Sequence, residues 1–239
     1  MTDRPVKVLA HRGASRAERE NTVAAFRRAK AMGADGAELD VRLTSDGELV
    51  VHHDPVLPDG RVIADLAAVD RPRHVPTLPE ALDACAGMFV NVEIKNDPRE
   101  PDFDPLDSIA DRTMALLLDR GEPQRWLISA FRMETVDRCR ALADAAKAPI
   151  RTAWLTLLAP EDVAAMLLGR RHEALHPWEG SLERRVVDEC HAHGIEVNTW
   201  TCDDPARMRE LIGWGIDGIC TNVPDVAVNV IAELANRGR

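Results

Sequence analysis

Residues 6–54 read VKVLAHRGASRAERENTVAAFRRAKAMGADGAELDVRLTSDGELVVHHD, and the way this stretch alternates decides the fold. An apolar run over 6–10 ends in His11-Arg12-Gly13. Val23, Phe26, Ala29 and Ala31 then recur at helical spacing, with Asn21-Thr22 placed to cap that helix and Gly33 to close it. Residues 36–42 return to a strand, on which Glu38 and Asp40 stand two apart and leave on the same face. A hairpin follows and ends in His53-Asp54. Two strands joined by a helix, with polar residues gathered where each strand ends, form the repeating unit of an α/β protein.

The remainder of the chain repeats that unit. Further strands are expected at 89–95, 126–130, 150–155, 173–176, 196–200 and 218–221, several of them apolar on both faces as buried parallel strands are. Helical spacing lies between them, as in Val186, Val187 and Cys190. Pro160, Pro205 and Pro224 stand where helices open, and Gly194 where one ends. Eight strand–helix pairs with right-handed crossovers predict a (β/α)8 TIM barrel, a single domain over residues 1–239, with a doubly wound open sheet as the alternative. Residues 58–76, rich in Pro, Arg and Asp, are expected to form a loop. No GxGxxG or GxxxxGK(S/T) follows a strand, which argues against nucleotide binding.

A formal net charge of −10 excludes a general nucleic-acid surface, which needs clustered Lys and Arg. It also repels anions at long range, so local cations must hold any anionic substrate. Cys85, Cys139, Cys190, Cys202 and Cys220 lie in core-like segments without CxxC spacing, as reduced, buried thiols of a cytoplasmic protein would. The apolar run within residues 1–10 is too short for an export signal, and no segment reaches membrane-spanning length.

In a barrel of this kind the chemistry sits at the carboxyl ends of the strands. His11 and Arg12, Glu38 and Asp40, Glu93 and Lys95, Ser129 and Phe131, His176, Trp200 and Asn222 all fall there, and few polar residues are expected at the opposite ends. Glu93 and Lys95 repeat the two-residue spacing of Glu38 and Asp40 on the neighbouring strand. Three carboxylates aimed into one cavity repel one another and lose solvation, which a bound cation resolves. Oxygen ligands alone favour Mg2+, Ca2+ or Mn2+.

His11 and His53 are expected beside these carboxylates, where two imidazoles serve as general acid and base. Strand alternation turns His53 inward rather than His52. His74, His172, His191 and His193 read as solvated residues of loops or polar helix faces. Arg12 and Lys95 suit phosphate oxygens, or else ion pairs with Glu20, Glu38 or Glu93.

These residues resemble the glycerophosphodiester phosphodiesterase family along nearly the whole chain. The likeness runs through LAHRGASRAERENTVAAF, GADGAELDVRLTSDGELVVHHDPVL, FVNVEIK, LISAF, EVNTWTCDD and GIDGICTNVPD. It implies hydrolysis of glycerophosphodiesters to glycerol 3-phosphate and an alcohol, with a divalent cation. It implies His11 and His53 as the acid/base pair, Glu38, Asp40 and Glu93 as metal ligands, and Lys95 near phosphate. Glu20 and Asn21 would orient Arg12 or the substrate, and Trp200 would cover the glycerol. Two places depart from the family pattern: Val56-Leu57-Pro58-Asp59-Gly60 replaces a Leu-x-Arg-Thr-Thr run, and Asn222 stands where Asp is usual. A lysophospholipase D-type enzyme on the same barrel and a non-catalytic phosphodiester-binding protein are the rival readings. The absence of a large exposed apolar loop segment weighs against the first, and the complete set of histidines and carboxylates against the second. The alcohol and the oligomeric state stay open.

Overall fold

A computed structural model of the chain describes residues 6–237. Residues 1–5, the first half of the amino-terminal segment weighed as an export signal, lie outside it, as do 238–239. The strands are β1 Lys7–Ala10, β2 Gly36–Leu43, β3 Leu49–Val51, β4 Phe89–Ile94, β5 Trp126–Ala130, β6 Arg151–Thr156, β7 Ala174–Pro177, β8 Glu196–Thr199 and β9 Gly218–Thr221. The helices are α1 Val23–Ala31, α2 Leu78–Ala84, α3 Ser108–Arg120, α4 Met133–Ala145, α5 Val163–Arg170, α6 Arg184–Ala192, α7 Pro205–Trp214 and α8 Pro224–Arg237. Eight of the strands run parallel in the order β1-β2-β4-β5-β6-β7-β8-β9, and β3 adds antiparallel to β2. The sheet closes because β1 pairs on both sides, Leu9 with Gly36 and Val8 with Ile219. This is the (β/α)8 barrel expected from the alternation.

Alternation along β2 divides its side chains between two environments. Leu39 and Val41 pack with Phe26 of α1 and Leu78 and Leu82 of α2 in one buried apolar cluster, which leaves Glu38 and Asp40 on the other face. The Thr22 hydroxyl caps α1 by accepting from the Ala25 N–H at 3.2 Å. The buried face of that helix is Ala25, Phe26 and Ala29; Ala31 is exposed, because it lies two residues past Ala29 and so around the cylinder. α5 begins at Val163, three residues later than Pro160 suggests. Residues 58–76 carry only short turns, but Leu57, Ile63 and Val75 are buried against Val50. The loop is therefore packed onto β3.

The amino ends of the strands are more polar than expected. Asp35 accepts from Val8 N–H and Asp217 from Val197 N–H, both at 2.8 Å, while Arg151 pairs with Glu196 at 2.7 Å. These contacts satisfy strand termini far from the mouth and read as stability. Two histidines predicted to be solvated are in fact engaged, and a third is shielded at one ring nitrogen without a partner. His172 is buried between Thr152 and Asp137, His191 meets Asp217 at 2.8 Å, and His74 has a shielded Nε2.

His176 lies inside the barrel, where Asn198 Nδ2 donates to its Nε2 at 3.1 Å. Burial, with Arg151 adding, holds its pKa down to about 3. Below pH 6.5 the unfolded chain takes up this proton and the folded chain does not, so stability present above 6.5 is lost as pH falls toward 3. Between pH 6.5 and 5 this group should remove about 2 kcal/mol. Urea unfolding at the two pH values should show a correspondingly shallower pH slope in His176→Gln, and an unchanged slope would contradict the assignment.

Candidate active site

Strands β2 and β4 lie in register, Asp40 opposite Glu93, which brings three carboxylates together at the barrel mouth. One oxygen from each of Glu38, Asp40 and Glu93 lies within 4.8 Å of the other two, and all three residues are buried. No other such group of His, Cys, Asp or Glu occurs among the described residues. Lys95, one residue past β4, places Nζ 2.5 Å from Glu93 and 3.0 Å from Asp40. Arg12 Nε lies 3.2 Å from Asp40, and the Arg12 backbone N–H donates to Glu38 Oε2 at 2.8 Å.

Two cations thus face three carboxylates, and the charge is unevenly settled. Burial opposes charge on Asp40, yet Lys95 and Arg12 hold its carboxyl well below the usual range. Glu38 is pushed well above that range by burial and then by Asp40 and Glu93; Glu93 is raised too, by burial first. Glu38 Oε1 is shielded from solvent and has no hydrogen-bond partner. An orphaned buried oxygen beside two more carboxylates is what a hard divalent cation fits, and a donor set of oxygens alone selects Mg2+, Ca2+ or Mn2+ over zinc.

The turn that carries Arg12 is strained into place. Arg12 and Asn21 both adopt φ of 56°, and Gly13 follows at 79° where an added Cβ would fall 2.6 Å from the Ala25 backbone. The tight approach seats the turn on α1. Asn21 Nδ2 then donates to Asp40 at 2.7 Å, and Arg12 Nη1 donates to both Glu20 oxygens at 3.0 and 3.1 Å. Of the two destinies foreseen for Arg12 and Lys95, the structure shows the ion pairs. Their partners are Glu20 and Asp40 for the first, Asp40 and Glu93 for the second.

Each candidate histidine is held through Nδ1. His11 meets Asn222 Oδ1 at 2.7 Å, and His53 meets Asp54 Oδ1 at 2.7 Å. Burial lowers both pKa values, helped by Arg12 at His11 and by Lys95 at His53; the bonds to Asn222 and Asp54 act the other way. His11, Glu38, Glu93 and Trp200 line a small cavity of about 20 Å3, whereas His53, Glu93, Lys95, Phe131 and Leu157 line one of about 400 Å3. Trp200 is braced by an edge-to-face contact with Phe131 at 5.4 Å and donates Nε1–H to His176 O at 2.8 Å. His52 is turned elsewhere, bonding to Asp54 O and lining a separate cavity with His74.

Sequence reading missed three supports. Arg42, almost fully buried, donates to the His53 carbonyl at 2.8 Å through Nε and pairs with Glu100 and Asp102. It continues the Glu38, Asp40 alternation by two residues, a signal that was present. Asp54 and Asp203 support His53 and Asn222, and both lie inside motifs quoted for the resemblance.

Residues 11–226 match the profile of the Glycerophosphoryl diester phosphodiesterase family. The chain belongs to that family. A glycerophosphodiester phosphodiesterase of Caldanaerobacter subterraneus is 30% identical over 95% of this chain and 98% of its own. The crystal structure of a glycerophosphodiester phosphodiesterase from Thermotoga maritima superposes with a TM-score of 0.77 at 26% identity, covering 94% of this chain and 98% of that one. An Oleispira antarctica phosphodiesterase, solved in complex with its product sn-glycerol-3-phosphate, shares the fold with a TM-score of 0.80 at 24% identity, covering 95% and 97%. Of the ten candidate residues of this phosphodiesterase-family chain, Glu38, Asp40 and Glu93 stand within β2 and β4, and the other seven lie in the segments that follow strands β1, β3, β4 and β8.

Proposed function

We propose that the chain hydrolyses glycerophosphodiesters to sn-glycerol 3-phosphate and an alcohol, using a divalent cation held by Glu38, Asp40 and Glu93. The carrying observation is the buried carboxylate trio with its orphaned Glu38 oxygen, bordered by His11 and His53 in adjoining cavities. When bound, the cation supplies charge neutralisation at phosphate and a lowered pKa for a hydroxyl beside it. Arg12 and Lys95 add fixed positive charge for the phosphate oxygens, and their ties to Glu20 and Asp40 keep them aimed. Asn21 fixes Asp40 in turn, and Trp200, beside His11 at the barrel mouth, is placed to cover the glycerol.

The two histidines are unlike in their partners, and this supports different work for each. His11 bonds to a neutral amide and is half-buried, and burial with Arg12 lowers its pKa, which favours the uncharged ring a base needs. His53 bonds to a carboxylate, which offsets part of the lowering by burial and Lys95, and it faces the wider cavity where a varied alcohol can depart. His11 takes the proton of the attacking oxygen and His53 gives one to the leaving alcohol. One domain over residues 1–239 and a reducing, cytoplasmic setting for five buried free thiols suit this reading. No helix among the described residues is long and apolar enough to cross a membrane.

A second reading, hydrolysis of lysophospholipids, gains from one observation. Leu106, Phe131, Leu157, Leu158 and Trp178 are 41–82% exposed, and they sit on the successive loops that follow β4, β5, β6 and β7. Each loop contributes one or two such residues, so no single sequence segment revealed them, and Phe131 and Leu157 line the wider cavity. Product analysis with glycerophosphocholine and lysophosphatidylcholine separates the readings. Glycerol 3-phosphate should form from the first at a kcat/KM at least about tenfold above that for release of choline from the second; the reverse ratio would make the lysophospholipid the substrate.

A further inference from the structure

We infer that Asn222 and Asp203 are a positioning pair that fixes the tautomer of His11, with the proton on Nδ1 and Nε2 left as the free basic nitrogen. This deepens the phosphodiesterase reading and rests on it for its catalytic consequence. The pair follows the barrel edge across three neighbouring strands: Asp203 lies in the loop after β8, Asn222 follows β9, and His11 follows β1. Backbone bonds hold the three segments together, Cys202 N–H to Cys220 O at 3.0 Å and His11 N–H to Thr221 O at 2.9 Å.

The direction of the network follows from Asp203. Its Oδ1 accepts from Thr221 Oγ1 at 2.9 Å and from the Asn222 backbone N–H at 2.8 Å, and its Oδ2 faces Asn222 Nδ2 at 2.8 Å. A carboxylate only accepts, so the amide NH2 of Asn222 must point at Asp203. Asn222 Oδ1 is then the atom turned to His11, and an oxygen there requires a donor: the ring nitrogen at 2.7 Å carries its proton. Ser15 Oγ donates to the same oxygen at 2.8 Å and fills its second lone pair. Flipping the amide would set oxygen against carboxylate and put two donors against His11 and Ser15.

The arrangement also explains why an amide stands at residue 222. A carboxylate there would face Asp203 at hydrogen-bond distance, and two like charges would compete for one proton. Asn222 transmits the orientation imposed by Asp203 without adding charge beside His11. Triad chemistry shows what such a device is worth: in a Ser-His-Asp protease, losing the orienting carboxylate lowers kcat by about 10^4 through the wrong tautomer.

Two variants test this, Asn222→Leu, which cannot accept, and Asp203→Asn, which lets the Asn222 amide turn over. Nitrogen-15 NMR of histidine-labelled protein, with the His11 signals assigned by their loss in His11→Gln, should show the Nδ1–H form in wild type and the Nε2–H form in both variants. Activity on glycerophosphocholine should fall on the order of 10^2-fold in kcat with KM within about threefold. Either variant suffices if the other does not fold. An Nε2–H ring in wild type, or an unchanged tautomer in a folded variant, overturns the inference whatever the activity does. A shifted tautomer with wild-type kcat would uphold the positioning pair and overturn the role of His11 as base.

Discussion

Replacing His11 or His53 by alanine should lower kcat for glycerophosphodiester hydrolysis by about 10^2- to 10^4-fold while the barrel stays folded. Neither side chain belongs to a buried apolar cluster, and His53 is 34% exposed, so the loss is one of chemistry rather than of core packing. The two variants should also differ from each other. A nitrophenol leaving group departs without a proton, so His53→Ala should recover most of its deficit on such a substrate. His11→Ala should not, because the attacking oxygen still needs a base. Recovery of both, or of His11→Ala alone, would reverse or remove the assignment drawn from their Asn222 and Asp54 partners.

Glu93→Gln should raise the cation concentration for half-maximal activity by at least about 10- to 100-fold, since loss of an outer support alone costs a metal site that much. Burial pushes the Glu93 carboxyl up, which means its charge is held at a cost in the cation-free protein. The amide relieves that cost, while Lys95 keeps Asp40 as a partner at 3.0 Å. The cation-free variant should therefore melt no lower than wild type, and the rise in Tm on adding Mg2+ or Ca2+ should shrink with the lost affinity. A variant with the wild-type cation response would remove Glu93 from the ligand set.

The barrel was legible because its signals are local. Two-residue alternation placed Glu38, Asp40 and Glu93 on inward faces, and the Thr22 cap and helix-opening prolines marked the units. What escaped depends on closure and packing. His11 and Asn222 are 211 residues apart and meet only because β1 pairs with β9. Spacing left Lys95 open between phosphate and the neighbouring carboxylates, and its pairing with both Asp40 and Glu93 is set by burial at the mouth. His172 looked like a solvated loop residue, and Thr152 and Asp137 bury it instead. The loop over 58–76, irregular in sequence, is anchored by Ile63 and Val75, with Leu57 just before it, and no periodicity connects them.

The most direct measurement follows glycerol 3-phosphate released from glycerophosphocholine by the purified protein, first with excess chelator and then with Mg2+ or Ca2+ restored. The three carboxylates, the orphaned Glu38 oxygen and the two histidines predict release that chelator abolishes and the cation restores, with choline as the second product. Full activity in chelator, or phosphocholine and glycerol as the products, would contradict it.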